Sequence, residues 1–180
     1  MYLWIGLGID SKNEKDIRNY CKEINKEFNV NEQSFTLPQH ISLKTSFYTE
    51  NYREIIKELK IKFINNKKLI LKINEVENIP GVIWLNINET IELRNYHNEI
   101  LEYLLKKYKI EKIGFDGEVF KFHSTLFQDI DNKELVEKLY KSIDKKFFEE
   151  KKIIVNKIYF GVSKIGKVGT YKVVDYLELN

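Results

Sequence analysis

The sequence predicts an α/β protein made from a duplicated strand–helix–strand unit. Two observations point there. Segments that alternate apolar and polar residues are separated by segments with apolar residues at helical spacing. Their order is strand, helix, strand, helix, strand, strand, helix, strand, helix, strand, strand. One short pattern (histidine, any residue, hydroxyl residue, leucine) also occurs once in each half, as His40-Ile41-Ser42-Leu43 and His123-Ser124-Thr125-Leu126. No Pro/Gly/Ser-rich linker separates the halves, so residues 1–180 are expected to form a single domain of two intertwined lobes.

Taken in order, Tyr2 to Ile9 alternates, with Leu3, Ile5, Leu7 and Ile9 on one face and Tyr2 and Trp4 on the other. Ser11 and Glu14 are expected as a capping box for a helix whose stripe is Ile17, Tyr20, Cys21, Ile24 and Phe28. Asn29 to Thr36 is a polar loop, and Pro38 leads into the first motif strand. A second helix runs from Tyr52 to Phe63, with Ile55, Ile56 and Leu59 inward. Strands Leu69 to Val76 and Val82 to Asn88 are joined through Pro80-Gly81. Thr90 caps a long helix whose apolar face carries Leu93, His97, Ile100, Leu101, Leu104 and Tyr108. Gly114 and Gly117 bracket a turn before the second motif strand. Asp131 and Glu134 open a helix with Leu135, Leu139, Ile143 and Phe147. Strands Ile153 to Ser163 and Tyr171 to Leu179 close the chain around a Gly166–Gly169 loop.

Composition narrows the class. With 43% hydrophobic and 32% charged residues, the chain is expected to be soluble and globular rather than disordered or embedded in a bilayer. The 30 basic and 27 acidic residues are interspersed, so a net charge of +3 permits a phosphate-bearing partner without demanding one. A single cysteine, Cys21, excludes a disulfide framework and suits a reducing cytoplasm; it lies on a helix stripe, as a core thiol does. The N-terminus has no basic lead and runs into Asp10, unlike a signal peptide, and no apolar run approaches the roughly 20 residues that span a bilayer.

The motif copies carry the chemistry. In a strand, His40 and Ser42 share one face while Ile41 and Leu43 share the other; His123 and Thr125 do the same against Ser124 and Leu126. Two such strands facing each other present two imidazoles and two hydroxyls. Paired imidazoles suit acid–base work near neutral pH, and the hydroxyls can hydrogen-bond phosphoryl oxygens. A metal centre fits poorly, because zinc takes three or four His, Cys or carboxylate ligands and neither motif holds a carboxylate. A Ser42 or Thr125 nucleophile also fits poorly, since no Asp orients the neighbouring histidine. His97, on an apolar helix face, is expected to be a satisfied core histidine. Lys44 and Lys121 share the motif faces by period 2, either as phosphate ligands or as solvated strand-end lysines. Trp4, Tyr48, Trp84, Phe127 and Tyr159 occupy strand faces away from the helices and could stack a base; Tyr159 is the one retained as a candidate.

The motif pair resembles that of the two-histidine (2H) phosphoesterases, the superfamily of 2′-5′ RNA ligase-like proteins and RNA 2′,3′-cyclic phosphodiesterases. Leu37-Pro38-Gln39-His40-Ile41-Ser42-Leu43-Lys44 is similar to the Pro-His-Ile-Thr-Leu-Lys version of the bacterial branch, and Tyr159-Phe160-Gly161-Val162-Ser163 with Tyr176-Leu177-Glu178-Leu179 is similar to the closing strand pair. The chain departs from the pattern at Ser42, where Thr is commoner, and at Lys121-Phe122, where Arg-Pro is frequent. The resemblance implies a bilobal, pseudo-symmetric α/β fold, with two antiparallel sheets lining a central cleft and helices outside. It implies metal-independent opening of 2′,3′-cyclic phosphates on RNA ends or small nucleotides. By the same resemblance His40 and His123 form the acid–base pair, with His40 the acid that protonates the departing 3′ oxygen, and Ser42 and Thr125 bind the phosphate. No cofactor, membrane or obligatory protein partner is expected. Hydrolysis of another cyclic or 2′-5′-linked signalling nucleotide, or a non-catalytic RNA- or nucleotide-binding module, are the alternatives.

Overall fold

A computed structural model of the protein describes residues 1–30, 35–128, 130–149 and 151–180. The elements run β1 (Tyr2–Ile9), α1 (Ser11–Phe28), β2 (His40–Tyr48), α2 (Tyr52–Phe63), β3 (Leu69–Ile79), β4 (Val82–Ile87), α3 (Ile91–Tyr108), β5 (His123–Phe127), α4 (Lys133–Ser142), β6 (Lys152–Ser163) and β7 (Lys172–Glu178). This is the predicted order, and it is a mixed α/β architecture. Residues 31–34 of the predicted polar loop lie outside the described residues.

Every strand pairing is antiparallel, along the path β2-β1-β6-β3-β4-β5, with β7 added on β6. The two expected sheets are the two halves of this path. They join in β3, whose Leu69–Lys72 pairs with β6 and whose Ile73–Ile79 pairs with β4. The motif strands β2 and β5 are the two ends of the path, and they pack against each other. Helices exchange between halves: α3 packs on β2, and α1 reaches β5 and α4. One core cluster results, containing Leu3, Ile5, Leu7, Ile41, Leu43, Ile83, Leu85, Leu126 and Phe127 among others. Fully burying each such side chain contributes about 1.5–3 kcal/mol. Cys21 lies in that core, where burial pushes its thiol up to about 12, as an inert structural cysteine requires.

Several local expectations shift. Asp10, not Ser11, caps α1: its carboxylate accepts from the Lys12 and Asn13 amides at 3.1 and 3.2 Å and also from the Ile154 amide on β6 at 3.3 Å. Asn132, one residue after Asp131, caps α4 by accepting from the Leu135 amide at 3.1 Å. α4 ends at Ser142, so Phe147 falls in a short 3₁₀ turn and is partly exposed, while Phe148 takes the buried place. Thr90 caps α3 as predicted, accepting from Leu93 N at 3.2 Å. Among the described residues no helix is long and apolar enough to cross a membrane.

Candidate active site

Alternation places the motifs as predicted. Ile41, Leu43, Ser124 and Leu126 are buried, while His40, Ser42, His123 and Thr125 are partly open on the other face. His40 and Thr125 line one cavity of about 160 Å³ together with Trp4, Pro38, Gln128 and Tyr171. The two strands are tied directly: Gln39 Nε2 donates to Ser124 Oγ at 2.8 Å and to the Thr125 carbonyl at 2.7 Å. Gln39 and Ser124 are both buried, so the bond between them is shielded from water.

Each imidazole is held in the same way. His40 Nδ1 lies 2.7 Å from the Pro38 carbonyl, and His123 Nδ1 lies 2.8 Å from the Lys121 carbonyl, each two residues upstream. A carbonyl only accepts, so Nδ1 carries the hydrogen and Nε2 is the nitrogen left to take or give a proton. The chain holds one tryptophan against each ring. Trp4 meets His40 edge-on at 4.2 Å between centroids, and Trp84 stacks on His123 at 4.0 Å.

The segments entering the motifs are clamped alike. Arg18 of α1 pairs with Glu14 at 3.1 Å and donates to the carbonyls of Phe35 and Leu37, just before His40. Arg94 of α3 pairs with Glu89 and donates to the carbonyls of Gly117 and Phe120, just before His123. A guanidinium with a fixed fork of donors can hold an acid and two carbonyls at once. The clamps repeat the duplication that the motifs announce.

Charge around the two rings is not symmetric. Burial pushes the His40 imidazole down to about 4; His123 and Arg18 act in the same direction, against the Pro38 carbonyl. Burial also lowers His123, but the Lys121 carbonyl and the Glu77 carboxylate work to keep its proton. Glu77 itself accepts from Trp84 Nε1 at 2.7 Å and Asn86 Nδ2 at 2.5 Å; against the opposing effect of burial, these bonds and the charges of Lys121 and His123 keep it ionised.

Lys44 does not reach the cleft. Two irregularities in the β1–β2 register, one on each side of Lys44, break the period of 2 after Ser42 and turn Lys44 into the interior. It is fully buried, pairs with Asp116 and lies over the Phe47 ring, so it is neither a phosphate ligand at the surface nor a solvated strand-end lysine. Phe127 is also buried, edge-on to Phe35, and Tyr48 is exposed at the sheet edge against Tyr2. Lys121 is exposed, and its charge acts on Glu77 beside His123. Tyr159 is half-buried; its ring occupies the space over Gly8, the residue paired with His40.

His97 is a satisfied core histidine. Its Nδ1 donates to the Leu43 carbonyl at 2.7 Å and its Nε2 accepts from the Gly117 amide at 2.9 Å, leaving no nitrogen for chemistry. Sequence reasoning missed Gln39, Arg18, Arg94, Glu77 and Asp116 altogether. Only Gln39, next to a motif histidine, carried a local signal.

Fold and site together define a protein with two matched histidine motifs on facing strands. The chain belongs to the 2′-5′ RNA ligase superfamily, whose family model matches residues 15–164. Among solved structures, TT0787 of Thermus thermophilus superposes with a TM-score of 0.68 at 14% identity, over 99% of this chain and 98% of that one. E. coli LigT complexed with 3′-AMP superposes with a TM-score of 0.61 at 13% identity, over 99% and 96%. Kluyveromyces marxianus Usb1 follows at 0.50 and 15%, over 99% and 97%. These likenesses show the fold. Comparison with curated proteins gives no match.

Proposed function

We propose that this protein is a phosphodiesterase that opens 2′,3′-cyclic phosphates on RNA ends or small nucleotides. The observation that carries the reading is the matched pair of imidazoles, each with Nδ1 fixed on a carbonyl two residues upstream and Nε2 left free to titrate. One Nε2 takes a proton from water as its oxygen attacks phosphorus. The bond from phosphorus to the ester oxygen opposite then breaks, and the other imidazolium gives that oxygen its proton. The products are a phosphomonoester and a free ribose hydroxyl. Ser42 and Thr125 donate to the non-bridging oxygens, where negative charge builds up. No metal ion enters any of these steps.

The charges favour one assignment of roles. Arg18 opposes a proton on His40, whereas Glu77 supports one on His123. We therefore assign His40 as the base and His123 as the acid, the reverse of what the resemblance alone implies. The negative substrate raises both imidazoles when it binds, so the acid gains its proton in the complex. The free, buried cysteine supports a reducing, cytoplasmic setting.

Turnover of 2′,3′-cyclic AMP, followed by phosphorus NMR, tests the reading. A 2′-monophosphate is the expected product, as the family resemblance implies. Binding without turnover, in wild-type protein, would leave a nucleotide-binding module instead.

A further inference from the structure

The two motif hydroxyls are not held in the same way. Thr125 is β-branched, so its own γ-methyl restricts χ1 and with it the direction of the hydroxyl. Ser42 has no such restraint, and a serine hydroxyl can serve as donor or acceptor in three staggered positions. Here an indole supplies the restraint. Trp4 Nε1 lies 3.0 Å from Ser42 Oγ, and an indole nitrogen can only donate. Ser42 is thereby fixed as the acceptor toward Trp4. Its own proton points elsewhere, and among the described residues Ser42 Oγ has no other hydrogen-bond partner. Trp84, in the other half, stacks on its histidine but spends its N–H on Glu77, leaving the hydroxyl of Thr125 alone.

The sheet is built to let the Trp4 ring reach this position. Its indole lies where side chains at Gly6 and Gly161 would be: a Cβ on Gly6 would come within 2.3 Å of indole Cζ2, and one on Gly161 within 2.7 Å of Cε3. Trp4 is only 6% exposed, so packing holds the indole in place beside Ser42.

We propose that Trp4 is a positioning residue whose indole N–H holds the Ser42 hydroxyl as a phosphate donor, doing for the serine motif what the γ-methyl of threonine does for the other. This rests on the reading of the cleft as a phosphodiester site. The test is a double-mutant cycle on Trp4→Phe and Ser42→Ala, read by calorimetric binding of inorganic phosphate and by kcat and KM on 2′,3′-cyclic AMP. Trp4→Phe is expected to weaken phosphate binding by about 3- to 10-fold, the worth of one hydrogen bond, and to change it by less than about 2-fold once Ser42 is alanine. A benzothienylalanine at position 4, which keeps the ring shape and lacks only the N–H, should behave like the phenylalanine. If that isostere binds phosphate as wild type does, or if the effects of the two positions simply add, the proposal is overturned. It is equally overturned if wild-type protein binds no phosphate. Phosphate coupling in a protein that fails to turn over the cyclic nucleotide would leave Trp4 in this role and remove only the proposed reaction.

Discussion

Asp116→Asn should be among the most damaging single changes outside the motifs. Lys44 and Asp116 form a fully shielded ion pair linking β2 to the segment that precedes β5. The partners are unequally supported. Asp116 also accepts from the Ile113 amide and the Thr45 hydroxyl, each at 3.0 Å, whereas among the described residues the Lys44 ammonium has only Asp116 and the face of Phe47 at 5.2 Å. Removing the carboxylate charge strands a buried ammonium, which costs about 3–5 kcal/mol. For a chain of this size that lowers Tm by roughly 10 °C. Lys44→Met should cost less, about 2 kcal/mol, because the carboxylate keeps its donors from Ile113 and Thr45 and the methionine refills the stem volume. The double variant should be no worse than Asp116→Asn alone. Urea unfolding at pH 7 with constant m-values measures all three. A loss under about 1 kcal/mol for Asp116→Asn, or strict additivity, would refute the argument. The pH dependence follows in sign. Although burial alone would raise it, the Ile113 amide and the Lys44 charge hold Asp116 below the ordinary carboxylate value. Its contribution is therefore present above the unfolded carboxylate pKa and is lost as pH falls through the folded one. His97, lowered by burial, adds an earlier loss that begins as pH drops below about 6.5, where the unfolded chain takes up a proton the folded one resists.

Further outcomes are expected. His40→Ala and His123→Ala should each reduce kcat by about 10²–10⁴, whereas His97→Ala should lower stability and leave turnover per folded molecule within a few-fold. The kcat/KM profile should be a bell centred below pH 7, because burial lowers both imidazoles in the free protein. Glu77→Gln should shift its alkaline limb to lower pH by removing the charge that helps His123 keep a proton; a shift of the acid limb instead would reverse the assigned roles. A cyclic substrate with sulfur at the departing bridging position needs no proton on leaving, so it should restore much of the rate in His123→Ala but not in His40→Ala. Turnover should survive chelators, since no metal ion has a part in the proposed steps; loss on EDTA treatment with recovery on zinc or manganese would overturn this.

The motifs were legible because period 2 holds through His40–Leu43 and His123–Leu126, so the faces of His40, Ser42, His123 and Thr125 follow from counting. Lys44 was misplaced for the same reason: counting carries it onto the face of Ser42, and the register irregularities that turn it inward leave no mark in composition. The Asp10 cap was hidden because one of its partners, the Ile154 amide, belongs to a strand far along the chain. Glu77, Arg18 and Arg94 each act on a motif from another element, and an ordinary surface residue would look the same in sequence. His97 could be read correctly because its helical spacing set it among Leu93, Ile100 and Leu104.

β3 belongs to both halves of the sheet, and this has a mechanical consequence. A cleft that opens by swinging two bodies apart needs a pivot of a few loop residues free to change φ and ψ. Here the join is a paired strand, and the free ends of the path are drawn together by Gln39. The spacing of the two imidazoles is thus set by the curvature of a hydrogen-bonded ribbon, which is stiff, and widening it would break ladder bonds. In the proposed reaction, substrate entry and product departure would fall to the segments around the rim, among them the 164–170 turn whose Val168 and Gly169 line the cavity beside His40. On the proposed reading, the two imidazoles would keep their spacing while the rim segments move.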